Sequence, residues 1–340
     1  MKVLFIGGTG LISSACSDLA LERGIELFIL NRGQSAKHPV PEGAHLLVGD
    51  VHGDEAALAP LLAGHTFDVV VDWIAFHPED IERDVRLFSG RTGQFVFISS
   101  ASAYQKPPRH YVITEETPLE NPFWEYSRNK ITCEERLMQA YREKAFPVTI
   151  VRPSLTYGPS QIPLCAGSWQ HPYTLIDRMK QGRPVIVPGD GTSLWVMTWS
   201  GDFAKGFLGL LGNSKAIGEA YHITSDEVLS WNQIYHAAGE AIGEVPKIVH
   251  VPSALIAAWE PGKLGTLTGD KANSLVFDNS KIKALVPDFH CSVPWSEGVR
   301  RSVAWFEADP VRQTIDETLN IMIDELLSKY RKAFPPNWSI

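Results

Sequence analysis

The sequence predicts an α/β protein, a doubly wound parallel sheet followed by a smaller mixed α/β lobe, and two observations carry that prediction. Apolar runs rich in strand formers (residues 2–6, 26–30, 45–48, 67–71, 94–98 and 148–152) alternate with stretches of helical period (11–23, 54–63, 78–88 and 124–144). Strands alternating with helices at this spacing demand parallel pairing through right-handed crossovers. The second observation is the join between the first run and the first helix, Gly7-Gly8-Thr9-Gly10-Leu11-Ile12-Ser13. A strand, a glycine-rich turn and a helix start bring backbone N–H groups and the positive end of the helix dipole to one point, which makes an anion site. Together they specify a Rossmann-type domain that binds a dinucleotide.

Within that loop Gly7 permits the tight turn, and Gly10 lets the backbone approach a pyrophosphate that a side chain would block. Thr9, Leu11 and Ile12 complete the cradle, and Ser13, small but not glycine, stands where the helix packs on its strand. The second strand ends in Asn31-Arg32-Gly33, with no acid. An acid there would bind the 2′-hydroxyl of the adenosine ribose, whereas an arginine accommodates a 2′-phosphate, so NADP is favoured over NAD. Asn31 is assigned to the ribose and Arg32 to adenine or the phosphate; a merely solvated Arg32 would leave NAD with looser contacts. The third strand closes on Gly49-Asp50-Val51 at the adenine edge. There Asp50 either accepts from the exocyclic amine or caps the helix starting near Asp54. Ala75 and Phe76, after the fourth strand, and Ser99, after the fifth, complete the expected cofactor contacts on this side.

The 340 residues are 44% hydrophobic and 21% charged, ordinary for a globular protein with a sizeable core. A formal charge of −8 argues against a general nucleic-acid or acidic-membrane surface, which needs clustered Lys and Arg. Cys16, Cys133, Cys165 and Cys291 stand far apart with no C-x-x-C pair, against a disulfide framework or a zinc site on paired cysteines. The histidines form no metal pattern, so no metal site is expected. No signal-like segment opens the sequence and no apolar stretch reaches membrane length, so the expected location is the cytoplasm.

The chemistry-bearing residues follow the fifth strand. Its end reads Ser99-Ser100-Ala101-Ser102-Ala103-Tyr104, and the next long helical pattern opens with Tyr126-Ser127-Arg128-Asn129-Lys130. Tyr126 and Lys130 are four apart, so both lie on one helix face. A phenol with a pKa near 10 is a poor base at neutral pH, and a neighbouring ammonium favours its ionised form. A serine hydroxyl from the strand end can hold the same substrate oxygen while hydride moves between its carbon and a nicotinamide.

In GGTGLIS at Gly7–Ser13, FVFISSASAY at 95–104, YSRNK at 126–130 and VRPSLTYGP at 151–159, the chain resembles an extended short-chain dehydrogenase/reductase, the NAD-dependent epimerase/dehydratase family. The resemblance makes Tyr126 the general acid/base. Lys130 would bind the nicotinamide ribose and lower the Tyr126 pKa. Ser100 would be the hydroxyl partner, with Ser102 the fallback, and Pro153 and Ser154 would border the nicotinamide. Family dehydratases carry an Asp-Glu pair where this chain has Ala101-Ser102, which disfavours sugar 4,6-dehydration. The family also implies a homodimer through the helices at 78–88 and 124–144, whose apolar Ile81, Val85, Leu87, Phe88, Ile131, Leu137 and Met138 exceed what one core face needs.

The same resemblance divides the chain into a cofactor domain, 1–153 with returning segments near 194–224, and a substrate lobe, 154–193 and 225–340. In the lobe, relatives that act on nucleotide sugars place two diphosphate-binding arginines. Here those positions fall on Trp195 and on Leu267-Thr268, with Lys271 the only nearby cation. Trp195, Trp199 and His171 are therefore the expected substrate contacts, an aromatic wall suited to an uncharged sugar or glycoside. The implied function is oxidoreduction or epimerisation at a secondary alcohol carbon of a sugar-like molecule. The alternatives are a nucleotide-sugar epimerase with atypical diphosphate contacts, or an RNA-associated protein on the same fold, as in the chloroplast stem-loop-binding group. The acidic balance makes nucleic acid an unexpected partner.

Overall fold

The computed structural model describes residues 1–35 and 37–335. Seven strands form the main sheet: β1 (Lys2–Ile6), β2 (Glu26–Asn31), β3 (His45–Val48), β4 (Phe67–Asp72), β5 (Thr92–Ile98), β6 (Val148–Pro153) and β7 (Ala220–Ile223). Their order is β7-β6-β5-β4-β1-β2-β3 and every pairing is parallel. The order reverses at β1, so the crevice beyond the carboxyl ends of β1 and β4 is the switch point where such sheets bind ligands.

Helices α1 (Ser13–Glu22), α2 (Glu55–Leu62), α3 (Pro78–Phe88) and α4 (Glu125–Lys144) connect these strands, followed by α5 (Thr174–Lys180), α6 (Ser200–Leu210) and α7 (Trp231–Glu240). Alternate strand residues serve the two faces. Val3, Phe5, Leu27, Ile29, Val69 and Val71 meet α1 and α6, while Leu4, Ile6, Leu30, Val70, Phe95 and Phe97 meet α2, α3 and α4. A third cluster, with Trp195, Trp231 and Trp295 fully buried, fills the second lobe.

Helix α1 turns Ser13, Cys16, Ser17 and Ala20 into the core. Small residues at that spacing bring the helix close to the sheet, and Leu19 and Leu21 pack half-buried at its flanks. Near the end of the chain a short 3₁₀ turn at Pro310–Arg312 precedes a helix Glu317–Arg331 capped by Asp316. The apolar residues of α3 and α4 are largely spent inside the chain: Ile81, Val85, Phe88 and Leu137 are buried in the sheet-facing core, leaving Leu87, Ile131 and Met138 half-buried. Among the described residues no helix is long and apolar enough to cross a membrane.

Candidate active site

The loop between β1 and α1 has the cradle geometry expected of it. Gly7 and Gly8 hold φ of 102° and 81°, which only glycine adopts without strain. Helix α1 starts at Ser13 after the apolar N-cap Ile12, so no side chain caps its first turn, and the Ser13 hydroxyl accepts from Gly10 N (2.8 Å). Free N–H groups at this helix end suit a pyrophosphate. A Cβ on Gly10 would come within 3.2 Å of Ser13 Oγ, so the close approach needs glycine there. The residues present fit a dinucleotide.

Asn31 is placed differently from its assignment to the ribose. Its Nδ2 lies 3.3 Å from both Gly7 O and Thr9 Oγ1, and its Oδ1 accepts from Gly33 N at 2.7 Å. The amide is committed to bracing the loop, while Arg32 next to it is exposed at the cleft edge. Asp50 is also exposed and accepts from His52 N (3.1 Å), closing a turn, and Asp54 caps α2 itself. Val51 is buried and its carbonyl accepts from Arg83.

Beyond β4 a buried ionic group shapes the opposite wall. Asp72 accepts from Ile74 N and Ala75 N at 2.7 and 2.8 Å, and Asp80 accepts from Phe76 N and His77 N, both at 2.9 Å. Arg83 ties Asp72, Asp80 and Asp84 together. Burial pushes the Asp84 carboxyl well up, and the Asp72 carboxylate adds to the shift. Ala75 and Phe76 are thus fixed by their own backbone, and Phe76, 40% exposed, turns its ring towards Tyr126 (6.3 Å between centroids).

Tyr126 and Lys130 leave the first turns of α4 on one face, and Lys130 is buried. Its ammonium donates to Ala75 O (2.6 Å) and Ile98 O (2.8 Å) and lies 5.8 Å from the Tyr126 ring centroid. Burial brings its pKa down to about 8. Burial likewise pushes Tyr126 up to about 12; the Ser100 hydroxyl draws it down and the Asp270 carboxylate raises it. The Lys130 ammonium, expected to lower the phenol, is engaged with these two carbonyls, and burial and Ser100 dominate the Tyr126 shift.

Ser100 rather than Ser102 serves that phenol. Ser127 Oγ donates to Ser102 Oγ (2.8 Å), Ser102 Oγ lies 2.9 Å from Ser100 Oγ, and Ser102 N also donates to Ser100 Oγ (3.2 Å). The relay leaves the Ser100 proton free to point towards Tyr126. The hydroxyl of Ser99 is spent on the buried Glu134, so it is not offered to a cofactor. Pro153 ends β6 in the core, and half-buried Ser154 follows it.

The aromatic wall is also corrected. Trp195 is 1% exposed and stacks on Trp231 (5.7 Å), so it belongs to the lobe's core rather than to an open face. Trp199 packs edge-on against Tyr157, and His171 bonds Thr314 Oγ1 through Nδ1 (2.9 Å). Side chains the sequence did not mark gather between the serine turn and the start of α4: Asp270, buried Lys106, and Asn121. Lys106 Nζ is 3.9 Å from Asp270 Oδ1, and Lys271 Nζ is 3.1 Å from Asp270 Oδ2. Asn121 Nδ2 donates to Ser102 O (2.8 Å) and Gly269 O (2.7 Å), joining the serine turn to the π-helical turn Leu267–Lys271.

Residues 3–224 match the model of the NAD dependent epimerase/dehydratase family. The chain belongs to that family. It is an extended short-chain dehydrogenase/reductase, an enzyme class built on nicotinamide chemistry. Among family proteins, UDP-N-acetyl-alpha-D-glucosaminuronate decarboxylase of Bacillus cytotoxicus is 25% identical over 337 residues, 90% of this chain and 97% of that protein. The chloroplast stem-loop binding protein of 41 kDa b of Arabidopsis thaliana is 29% identical over 265 residues, which cover 73% of this chain and only 65% of that relative. The solved UDP-glucose 4-epimerase of Thermotoga maritima, with UDP-glucose, shares the fold at a TM-score of 0.73 and 20% identity, covering 91% of this chain and 99% of its own.

Proposed function

We propose that this epimerase/dehydratase family member is an NAD(P)-dependent oxidoreductase or epimerase acting by hydride transfer at a secondary alcohol carbon of a sugar or sugar-like substrate. The supporting observation is the meeting of Ser100, Tyr126 and Lys130 beside the Gly7–Ser13 loop, with Lys130 Nζ 5.8 Å from the Tyr126 ring centroid and the Ser100 hydroxyl near enough to draw the phenol's pKa down. When bound, the nicotinamide supplies or accepts the hydride. Tyr126 Oη gives the proton to the substrate oxygen in reduction and takes it back in oxidation. Ser100 Oγ, braced by Ser102, holds that oxygen, and Lys130 holds the nicotinamide ribose. Residues 1–153, with the returning segments near 194–224, are the cofactor domain, and 154–193 with 225–340 the substrate lobe.

The test is a panel of free sugars, sugar acids, glycosides and nucleotide sugars with each cofactor, followed by nicotinamide absorbance and by product epimer analysis. No turnover or epimerisation across the panel would count against the reading. In the reducing direction Tyr126 keeps its proton to about pH 12, while Lys130 loses its charge near pH 8. The rate should therefore fall as pH rises through about 8, and a flat profile well beyond it would contradict that assignment.

NADP is favoured over NAD because exposed Arg32 stands at the end of β2 with no acid beside it. Arg32→Ala should weaken NADP more than NAD; equal effects by calorimetric titration would make Arg32 a bystander. A homodimer through α3 and α4 is proposed on the half-buried Leu87, Ile131 and Met138, and a monomer mass by light scattering at micromolar concentration would refute it. A cytoplasmic location agrees with four unpaired cysteines. RNA binding, suggested by the stem-loop-binding relative, is disfavoured by the net charge of −8.

A further inference from the structure

We propose that the substrate carries a negatively charged oxyanion close to its reacting carbon, and that Lys106 and Lys271 hold this group between them. The inference rests on the oxidoreductase reading above and names the chemistry of the substrate that site takes.

Lys106 follows the turn that carries Ser100 and Ser102, and its side chain is fully buried. An ammonium has three donors. Lys106 uses one, to Tyr104 O at 3.2 Å, and its distance of 3.9 Å to Asp270 is too long for a hydrogen bond. Among the described residues its other two N–H groups have no acceptor. Lys271 sits on the far oxygen of the same carboxylate. One carboxylate therefore serves two ammonium groups: burial holds the Lys106 pKa down, Asp270 attracts its ammonium and Lys271 repels it. A buried surplus of positive charge is costly unless an anion joins it.

The position of the surplus ties it to the chemistry. Gly269, the residue before Asp270, packs on Asn121, Phe123 and Trp124, so the cluster adjoins the start of the helix that carries Tyr126. Its parts are held in place: Asn121 links Gly269 to Ser102, and Trp231 Nε1 donates to Lys271 O at 3.0 Å. Trp195 Nε1 is buried without a partner, and its ring lies 5.8 Å from Lys271 Nζ. A neutral sugar would leave Lys106 short of acceptors; a carboxylate or a phosphate on the sugar would satisfy it. The lysines thus replace the uncharged pocket that the missing arginines suggested.

The test is calorimetric titration of the wild-type protein and of Lys106→Met and Lys271→Met with acetate, inorganic phosphate, D-glucuronate and glucose 6-phosphate, against neutral D-glucose. At least one oxyanion should bind saturably to wild type. Each variant should weaken that binding by about tenfold or more, as expected for a lost charge-assisted hydrogen bond. Acetate and glucuronate binding without phosphate would identify a carboxylate, and the reverse a phosphate ester. No saturable oxyanion binding, or unchanged affinity in Lys271→Met, would overturn the proposal. Lys271 is less buried than Lys106, so its variant carries the test should Lys106→Met fail to fold. NADPH titration runs alongside: its failure in wild type would sink the oxidoreductase reading and leave the oxyanion result standing on its own.

Discussion

Tyr126→Phe is expected to lower turnover by about a hundredfold or more, the range for removing a general acid/base. Cofactor affinity should stay nearly unchanged. The substitution deletes Oη, the group that moves the proton, and leaves the ring against Trp124 and Phe76, at centroid distances of 5.0 and 6.3 Å. The phosphate cradle lies on another element altogether. Steady-state rates and a calorimetric NADPH titration on the same preparation separate the two effects. If more than about a tenth of the activity survives, proton transfer runs through another group. Joint loss of rate and affinity would mean that the phenol supports the cofactor site instead.

Glu134→Ala should be the most damaging single change to folding. Glu134, on α4 two turns past Tyr126, is buried and accepts from Ser99 Oγ and, bidentately, from Arg152 Nε (3.0 Å) and Nη2 (2.7 Å). Removing one partner of a buried pair leaves the other charge unmatched, which costs about 3–5 kcal/mol. Among the described residues Arg152 then keeps the Glu115 carbonyl at 3.3 Å and the Tyr104 side chain. Because Ser99 and Arg152 directly precede Ser100 and Pro153, activity should fall with stability. Urea unfolding measures the loss, and the double variant with Arg152→Met should recover part of it. A stability within about 1 kcal/mol of wild type would show that water reaches the guanidinium and takes over its hydrogen bonds.

The sheet was legible because a buried parallel strand is a short apolar run, and six such runs stand between helical stretches. The first four helices also came from local pattern, as did the strand–loop–helix unit of Gly7–Ser13 and the Tyr126–Lys130 pair. The seventh strand, Ala220–Ile223, joins β6 from far along the chain, and only the resemblance suggested it. Burial within the helices was less readable: α1 faces the sheet with Ser13, Cys16, Ser17 and Ala20, since closeness of approach mattered more there than hydrophobicity. The substrate side was the least legible. Trp195 aligned with a ligand-binding position, yet an indole stacked on Trp231 is worth more to a thin lobe's core than to its surface. Lys106 and Asp270 meet near the start of α4 through a turn packed on Asn121, Phe123 and Trp124, a contact that no periodicity or spacing announces.

The central claim is that this chain holds a nicotinamide dinucleotide on the Gly7–Ser13 loop, within reach of Tyr126. Calorimetric titration of the protein, first stripped of any bound nucleotide, with NADPH and NADH tests it most directly. Saturable binding of one dinucleotide per chain is expected, tighter for NADPH. Failure of both cofactors to bind saturably would contradict it.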